Sequence, residues 1–273
     1  MTSPHFHALS PLQHKLREYY ANVRAWLRLT PFTVTAQGAR FVVGTTDYID
    51  RCIAFFGIWE QPQLEDLAQL SANRKIDYFL DVGANAGFYS IMFATKKLAE
   101  RVIAFEPDPG NYARLMANIN ANALASRIEA IPLALGNEAS EVTLYEGAKW
   151  NRGESTIVVP EQTPQEVKFR VRQARFDDQY AIAGKTVIVK MDVEGYEFQA
   201  LAGMERTLRD NVCYLQIEHY GTEFDRLKAQ CEGYGYRSST PATSTTFSPT
   251  CRTLGRSLLR PILRDAPYGR SSG

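Results

Sequence analysis

The stretch IDYFLDVGANAGFYSIMFATKKLAERVIAFEP, residues 76–107, decides the fold. Its first seven residues are apolar and β-branched or aromatic around Asp77 and Asp81, as in a strand buried on both faces. A glycine loop, DVGANAG, follows, and then GFYSIMFATKKLA (87–99) carries apolar residues at helical spacing. RVIAFEP (101–107) is again a strand. Strand, loop, helix and strand within 32 residues make a βαβ unit, which requires a parallel pair.

The pattern continues outward from this unit. A helix is expected over 111–124, a strand over 127–135, and two strands over 141–147 and 167–172 around a long insert. TVIVKMDV (186–193) reads as a strand, 196–210 as a helix, 212–220 as a strand and the region near 222–231 as a helix. Upstream, 60–72 reads as a helix and FTVTAQGARFVV (32–43) as two short strands around Gly38. The expected fold class is α/β: a Rossmann-like, mostly parallel sheet with helices on both faces.

At the N-terminus, Leu9, Leu12, Leu16, Tyr20, Val23 and Leu27 recur at steps of three and four, with Lys15, Arg17, Arg24 and Arg28 elsewhere around the helix. The plain expectation is that this stripe packs on the chain's own domain. The alternative is a helix that docks on an anionic surface or a partner. At the other end, residues 236–273 hold six Arg, no Lys and one acid. Taking them from 31 basic and 30 acidic residues leaves a body of about −4 and a tail of +5. The tail is rich in Ser, Thr and Pro, which predicts disorder over 237–273 and a sheet incomplete at its C-terminal edge. The expected organisation is a helical extension over 1–35, one domain over 36–236 and the basic tail.

The overall charge of +1 gives no steer toward nucleic acid. No apolar run approaches the 18 or so residues of a transmembrane helix. The four cysteines lack C-x-x-C spacing, and nothing argues for disulfides, which suits the cytoplasm. Nothing in the sequence sets an oligomeric state.

The chemistry belongs at the carboxyl ends of the strands. Asp81, Gly83, Ala84, Asn85 and Gly87 form the loop after the first strand, where glycines let backbone turn and approach a ligand. Glu106, 25 residues after Asp81, ends the second strand, where an acid suits ribose hydroxyls. A dinucleotide loop has a glycine where this chain has Asn85, which argues against NAD or FAD. An acid before the loop suits a ligand with a cationic end, such as S-adenosylmethionine. At the end of the strand over 186–193 stand Asp192 and Glu194, with Glu197 in the next helix's first turn, where an acid also favours the helix dipole. Glu218 and His219 end the next strand. If the two strands are neighbours, Asp192, Glu194, Glu218 and His219 surround one pocket and offer the general base. A divalent cation on Asp192 and Glu218 is a further option, although no metal-ligand spacing is recognisable. Trp150, Asn151 and Arg152 of the insert would stack on and bind a sugar, or anchor the core.

DVGANAGFYS, AFEPDP, ALGN (134–137) and KMDVEGYEFQALAGM (190–204), with GIWE (57–60) upstream, resemble the FkbM family of S-adenosylmethionine-dependent methyltransferases. The resemblance spans about residues 38–235 and implies a seven-stranded Rossmann-like sheet. It implies methyl transfer to a hydroxyl of a sugar, glycan or secondary metabolite. By the same resemblance Asp81, Gly83, Asn85 and Gly87 surround the methionine part of the cofactor, Glu106 meets the ribose and Asn137 lies near the adenine. The alternatives are a degenerate relative that binds the cofactor without turnover, and an NAD-dependent oxidoreductase.

Overall fold

The structure is a computed structural model that describes residues 6, 9–44, 47–72, 74–145, 156–157, 167–219, 224–239 and 255–261. The N-terminal part comprises α1 (Pro11–Trp26), the hairpin β1 (Phe32–Ala36) and β2 (Ala39–Val43), then α2 (Tyr48–Phe56) and α3 (Gln61–Ala72). The repeating core follows as β3 (Tyr78–Val82), α4 (Phe88–Thr95), β4 (Arg101–Phe105), α5 (Pro109–Ala121) and β5 (Ile128–Ile131). Next come β6 (Ala134–Leu135), β7 (Ser140–Tyr145), β8 (Val167–Ala174) and α6 (Phe176–Gln179). The chain then forms β9 (Thr186–Met191), α7 (Glu197–Gly203), α8 (Glu205–Asp210), β10 (Val212–His219), α9 (Phe224–Gly233), β11 (Tyr236–Ser239) and β12 (Gly255–Pro261).

Seven strands form the main sheet in the order β11-β12-β10-β9-β3-β4-β5. β5, β4, β3, β9 and β10 run parallel, and β12 is antiparallel to both β10 and β11. The strand order reverses between β3 and β9, so the switch point lies at their carboxyl ends.

Period-two alternation sends successive side chains to opposite layers. Phe79, Val102, Ala104 and Ile188 join one cluster with α3, α4, α5 and the β1–β2 hairpin. Leu80, Val82, Ile103, Phe105, Val187, Val189 and Met191 join the other, with α6 to α9. Each such buried side chain contributes roughly 1.5–3 kcal/mol, so the register is strongly fixed. Two charges interrupt the first layer: Asp81 on β3 and Lys190 on β9 are register partners, both buried.

Several expectations are corrected. The sheet is complete at its C-terminal edge, because β11 and β12 fill it. Residues 237–239 and 255–261, which composition assigned to disorder, are strand; Pro261, unable to donate to a ladder, ends β12. The rest of the tail lies outside the described residues. The strand expected over 127–135 divides at Pro132, and Ala134 and Leu135 pair instead with β8 in a second sheet, β6-β8-β7. The helix expected over 196–210 divides at Met204. There Asp177 accepts from the backbone N–H groups of Arg206 and Thr207 and from the Thr207 hydroxyl, capping a new helix start.

The β1–β2 hairpin crosses the boundary expected at residue 36 and ties the extension to the domain. The N–H groups of Arg40 and Val42 donate to Asn122 and Asn118 of α5 and its C-terminus. α1 leaves much of its expected stripe exposed, although Leu9 and Val23 are half-buried and Tyr20 packs edge-on to Phe32. Ala21 is its buried residue, His14 stacks on Phe56 at 4.6 Å, and Arg17 donates to the carbonyls of Ala54 and Thr35. Leu12, Leu16, Tyr20 and Leu27 of the apolar stripe are exposed. Among the described residues, no helix is long and apolar enough to cross a membrane.

Candidate active site

A cleft of about 900 Å³, counting its open mouth, lies at the switch point. Its floor is the loop after β3. Gly83 has φ +80°, and a Cβ there would lie 1.8 Å from the Asp192 carbonyl oxygen. The ends of β3 and β9 therefore meet so closely that only glycine fits. The Asp192 N–H donates to the Val82 carbonyl at 2.9 Å and closes the same junction. Asn85 takes a left-handed conformation, φ +52°, and its side-chain oxygen accepts from the Ala86 N–H. Ala84, Asn85 and Gly83 all line the cleft.

Glu106, at the end of β4, forms the adjoining wall and is buried. Its two carboxylate oxygens accept from the backbone N–H groups of Asn85 and Asp108, at 2.7 and 2.9 Å. Burial raises its carboxyl from 4.5 to about 7, against the pull of those two N–H groups. Asp108, which sequence reading did not single out, caps α5 through Gly110 and Asn111 and also lines the cleft. Its signal is in the sequence: an Asp before a Pro-opened helix is an N-cap.

Leu133, Ala134, Leu135, Leu144 and Ile157 make an apolar wall, built from the β6-β8-β7 sheet and its flanks. The ALGN motif (134–137) pointed to this region through Asn137, but not to an apolar wall, because that placement depends on the strand switch at Pro132. Asn137 does not belong to the wall. It is exposed, and its carbonyl accepts from Arg175. Trp59, from the GIWE segment, and Ile49 of α2 close the opposite side.

Asp192 and Glu194 line the cleft as expected. Lys190 Nζ lies 3.1 Å from Asp192 Oδ2 and 5.3 Å above the Tyr89 ring, and the Tyr89 hydroxyl donates to Glu60 at 2.8 Å. Burial works against the lysine's charge, but Asp192, Asp81, Glu60 and Glu218 together outweigh it and hold the ammonium protonated far above neutral pH. Glu194 sits in a left-handed turn, φ +52°, ahead of Gly195, and its carbonyl accepts from the Thr156 hydroxyl. Glu197 is buried and accepts from the Gly195 N–H at 3.0 Å, so it closes that turn and does not face the cleft.

Other expected residues stand further back. Asp81 is 1% exposed and does not line the cleft. One of its oxygens accepts from the Ser90 N–H and hydroxyl at the start of α4, and the other is buried without a hydrogen-bond partner among the described residues. Burial raises its carboxyl, with Lys190 and Ser90 pulling the other way. Gly87, φ +83°, is outside the lining too; a Cβ there would lie 2.3 Å from Leu115, so it serves the packing of α4 on α5. Glu218 lies with Lys190, Glu60, Gln63 and Gln216 around a second, smaller pocket beside the cleft. His219 ends β10, pairing through its backbone with Gly255. Trp150, Asn151 and Arg152 lie outside the described residues. Among the described residues, no group of three or more His, Cys, Asp or Glu is placed to hold a metal ion.

Among the described residues, the cleft is thus lined by four acidic side chains, Glu106, Asp108, Asp192 and Glu194, against one cation, Lys190. That field favours a cationic ligand and repels phosphates. It fits S-adenosylmethionine, whose sulfonium and ammonium groups are positive, whose ribose would reach Glu106 and whose adenine would rest on the apolar wall.

The chain also matches known methyltransferases in sequence. The profile of the methyltransferase FkbM domain matches residues 81–238. The chain is 28% identical over 170 residues to methyltransferase sdnD of Sordaria araneosa, covering 51% of this chain and 64% of that protein. It is 28% identical over 215 residues to the hexuronic acid methyltransferase AglP of Haloferax volcanii, covering 74% of this chain and 83% of that one. The match to sdnD thus spans less than two thirds of that protein's length. A solved structure of an FkbM methyltransferase from Methylobacillus flagellatus is 22% identical, with a TM-score of 0.48 over 68% of this chain and 43% of that one.

Proposed function

Because the chain belongs to the FkbM methyltransferase family, we propose that it transfers the methyl group of S-adenosylmethionine to a hydroxyl oxygen of a sugar, glycan or secondary metabolite. When bound, the cofactor supplies a methyl group made electrophilic by its sulfonium. The protein's part is to hold, orient and deprotonate. Glu106 accepts from the ribose hydroxyls, the wall from Leu133 to Leu135 shelters the adenine, and the carboxylates of the cleft balance the cationic end. Asp81 acts from behind the loop, where it pins the start of α4 through Ser90.

The acceptor enters over the ends of β9 and β10. Asp192, fixed by Lys190, and Glu194, on the turn before α7, flank the acceptor oxygen and take its proton. Such general-base help is worth about 10²–10⁴-fold in rate, and alignment for in-line attack adds to it. A sugar as acceptor is supported by the relative named for hexuronic acid. A cytoplasmic setting is supported by Cys52, Cys213 and Cys231, all buried and free.

The observation that carries this reading is the acidic lining of the cleft: among the described residues, four acidic side chains and one ammonium where the strand order reverses. Calorimetry with S-adenosylmethionine and with NAD tests it. Binding of the first alone is expected, followed by transfer of a labelled methyl group to a panel of sugars and glycans. Binding of NAD in preference would overturn the reading, and cofactor binding without transfer to any acceptor would identify a degenerate relative.

A further inference from the structure

The amphipathic helix α1 faces the wrong way for a helix that serves only its own core. Its inner side is Ala21, His14 and Arg17. Its outer side carries Leu12, 68% exposed, Leu16, 59%, Tyr19, 71%, and Trp26, 82%, with Leu27 and Leu29 exposed just beyond the helix. These four helical positions recur at steps of four, three and seven, so they form one stripe along the helix. Leaving so many large apolar side chains in water on one strip marks a surface that something covers.

The flanking chemistry selects the occupant. Residues 9–29 contain Lys15, Arg17, Arg24 and Arg28 against one acid, Glu18, a local charge of +3 on a body of about −4. Lys15, on the helix, and Arg28, just beyond its C-terminal end, are both exposed. Tyr and Trp prefer a boundary where one end of the ring is wet and the other dry. A helix with an apolar stripe and a basic flank lies in the plane of a lipid interface. A second copy of the chain is a poorer fit. A two-fold interface would set the basic residues against themselves, with a single Glu18 per copy to offset them. We propose that α1 docks this protein on an anionic lipid surface, with Leu12, Leu16, Tyr19 and Trp26 entering the headgroup region and Lys15 and Arg28 meeting lipid phosphates.

Vesicle flotation of the full chain tests this. The protein is expected to float with vesicles of phosphatidylcholine containing about 30% phosphatidylglycerol, and to stay down with phosphatidylcholine alone. Raising the salt to about 0.5 M should release a large part of it. Leu16→Ser combined with Trp26→Ser, and separately Lys15→Gln combined with Arg28→Gln, should each lower the bound fraction at least about tenfold. The charge-only pair keeps the test valid if the apolar pair disturbs the fold. Failure of the wild-type chain to float overturns the proposal, as does equal flotation on neutral vesicles or flotation that neither pair weakens. A dimer in sedimentation equilibrium that the apolar pair dissociates would instead assign the stripe to a second copy.

Discussion

The titration of Glu106 gives the most direct access to the cofactor cleft. In the ligand-free protein burial raises this carboxyl to about 7, above the 4.5 of an exposed glutamate. Ribose hydroxyls donate to a carboxylate, so the ionised form is the one that binds. Below pH 7 the free protein must shed a proton first, and affinity therefore rises with pH and levels off above it. If only the carboxylate binds, affinity at pH 6 is about tenfold lower than at pH 8, or roughly 1.4 kcal/mol. At pH 6 about nine-tenths of the protein carries the proton, so binding should release close to one proton per ligand. Calorimetry in two buffers of different ionisation enthalpy reads that proton directly. Adenosine is the ligand to use, since it keeps the ribose and lacks the titrating amino group of the methionine part. Glu106→Gln should flatten the profile and weaken binding at pH 8. The same shift has a consequence for stability. A carboxyl whose folded pKa is raised stabilises the fold fully below pH 4.5, and that contribution, about 3 kcal/mol, is lost as the pH rises through 7. Adenosine affinity that is flat between pH 6 and 8, with heats independent of buffer, would refute the assignment of Glu106 to the ribose.

Four further outcomes follow from the geometry. Gly83→Ala forces a Cβ against the Asp192 carbonyl in a left-handed conformation; a loss of about 3 kcal/mol or more in urea unfolding is expected, together with loss of cofactor binding. Lys190→Met strands Asp81 and Asp192 without their cation, at a cost of about 3–5 kcal/mol, and adding Asp81→Asn in the same chain should recover part of it. Asp192→Asn should leave cofactor affinity within a few fold while lowering turnover by about 10²–10⁴, measured by single-turnover transfer of labelled methyl. Ending the chain at residue 254 removes β12, which separates β10 from β11; the shortened chain should melt well below the full one in calorimetry.

The sheet was legible in the sequence wherever a strand is buried on both faces. β3, β4 and β9 are continuous apolar runs, and each ends within two residues of where the sequence placed it. The glycine loop and the acids after β4 and β9 were legible for the same reason, since chemistry at a strand's carboxyl end interrupts an apolar pattern. What failed depended on contacts distant in sequence. Pro132 permits a strand to change sheets, but only β8 explains where it goes. Asp177 divides one expected helix in two from across the fold. β12 is stabilised by its place between β10 and β11, not by its own composition, so a basic, Ser- and Pro-rich tail hid it. α1 was found by its period, yet period alone does not say which face looks inward.

The buried lysine gives the acidic end of β9 its logic. Lys190 draws on carboxylates from four separate places: Asp81 on β3, Asp192 beyond β9, Glu60 ahead of α3 and Glu218 on β10. Each would be costly to bury alone, and a shared ammonium offsets several of them at once. It also stands between the cofactor cleft and the smaller pocket lined by Glu60, Gln63, Gln216 and Glu218. Asp192 and Glu218, which the sequence left open to a divalent cation, line separate pockets that Lys190 shares. A fixed ammonium orients Asp192 without leaving or exchanging. We keep Asp192 and Glu194, which share the cleft, as the first candidates for the base, with Glu218 behind Lys190 in the neighbouring pocket and His219, whose side chain lies outside the described residues, beside them. Asp192→Asn and Glu194→Gln, compared at equal cofactor occupancy, separate the group that takes the proton from the one that positions the acceptor.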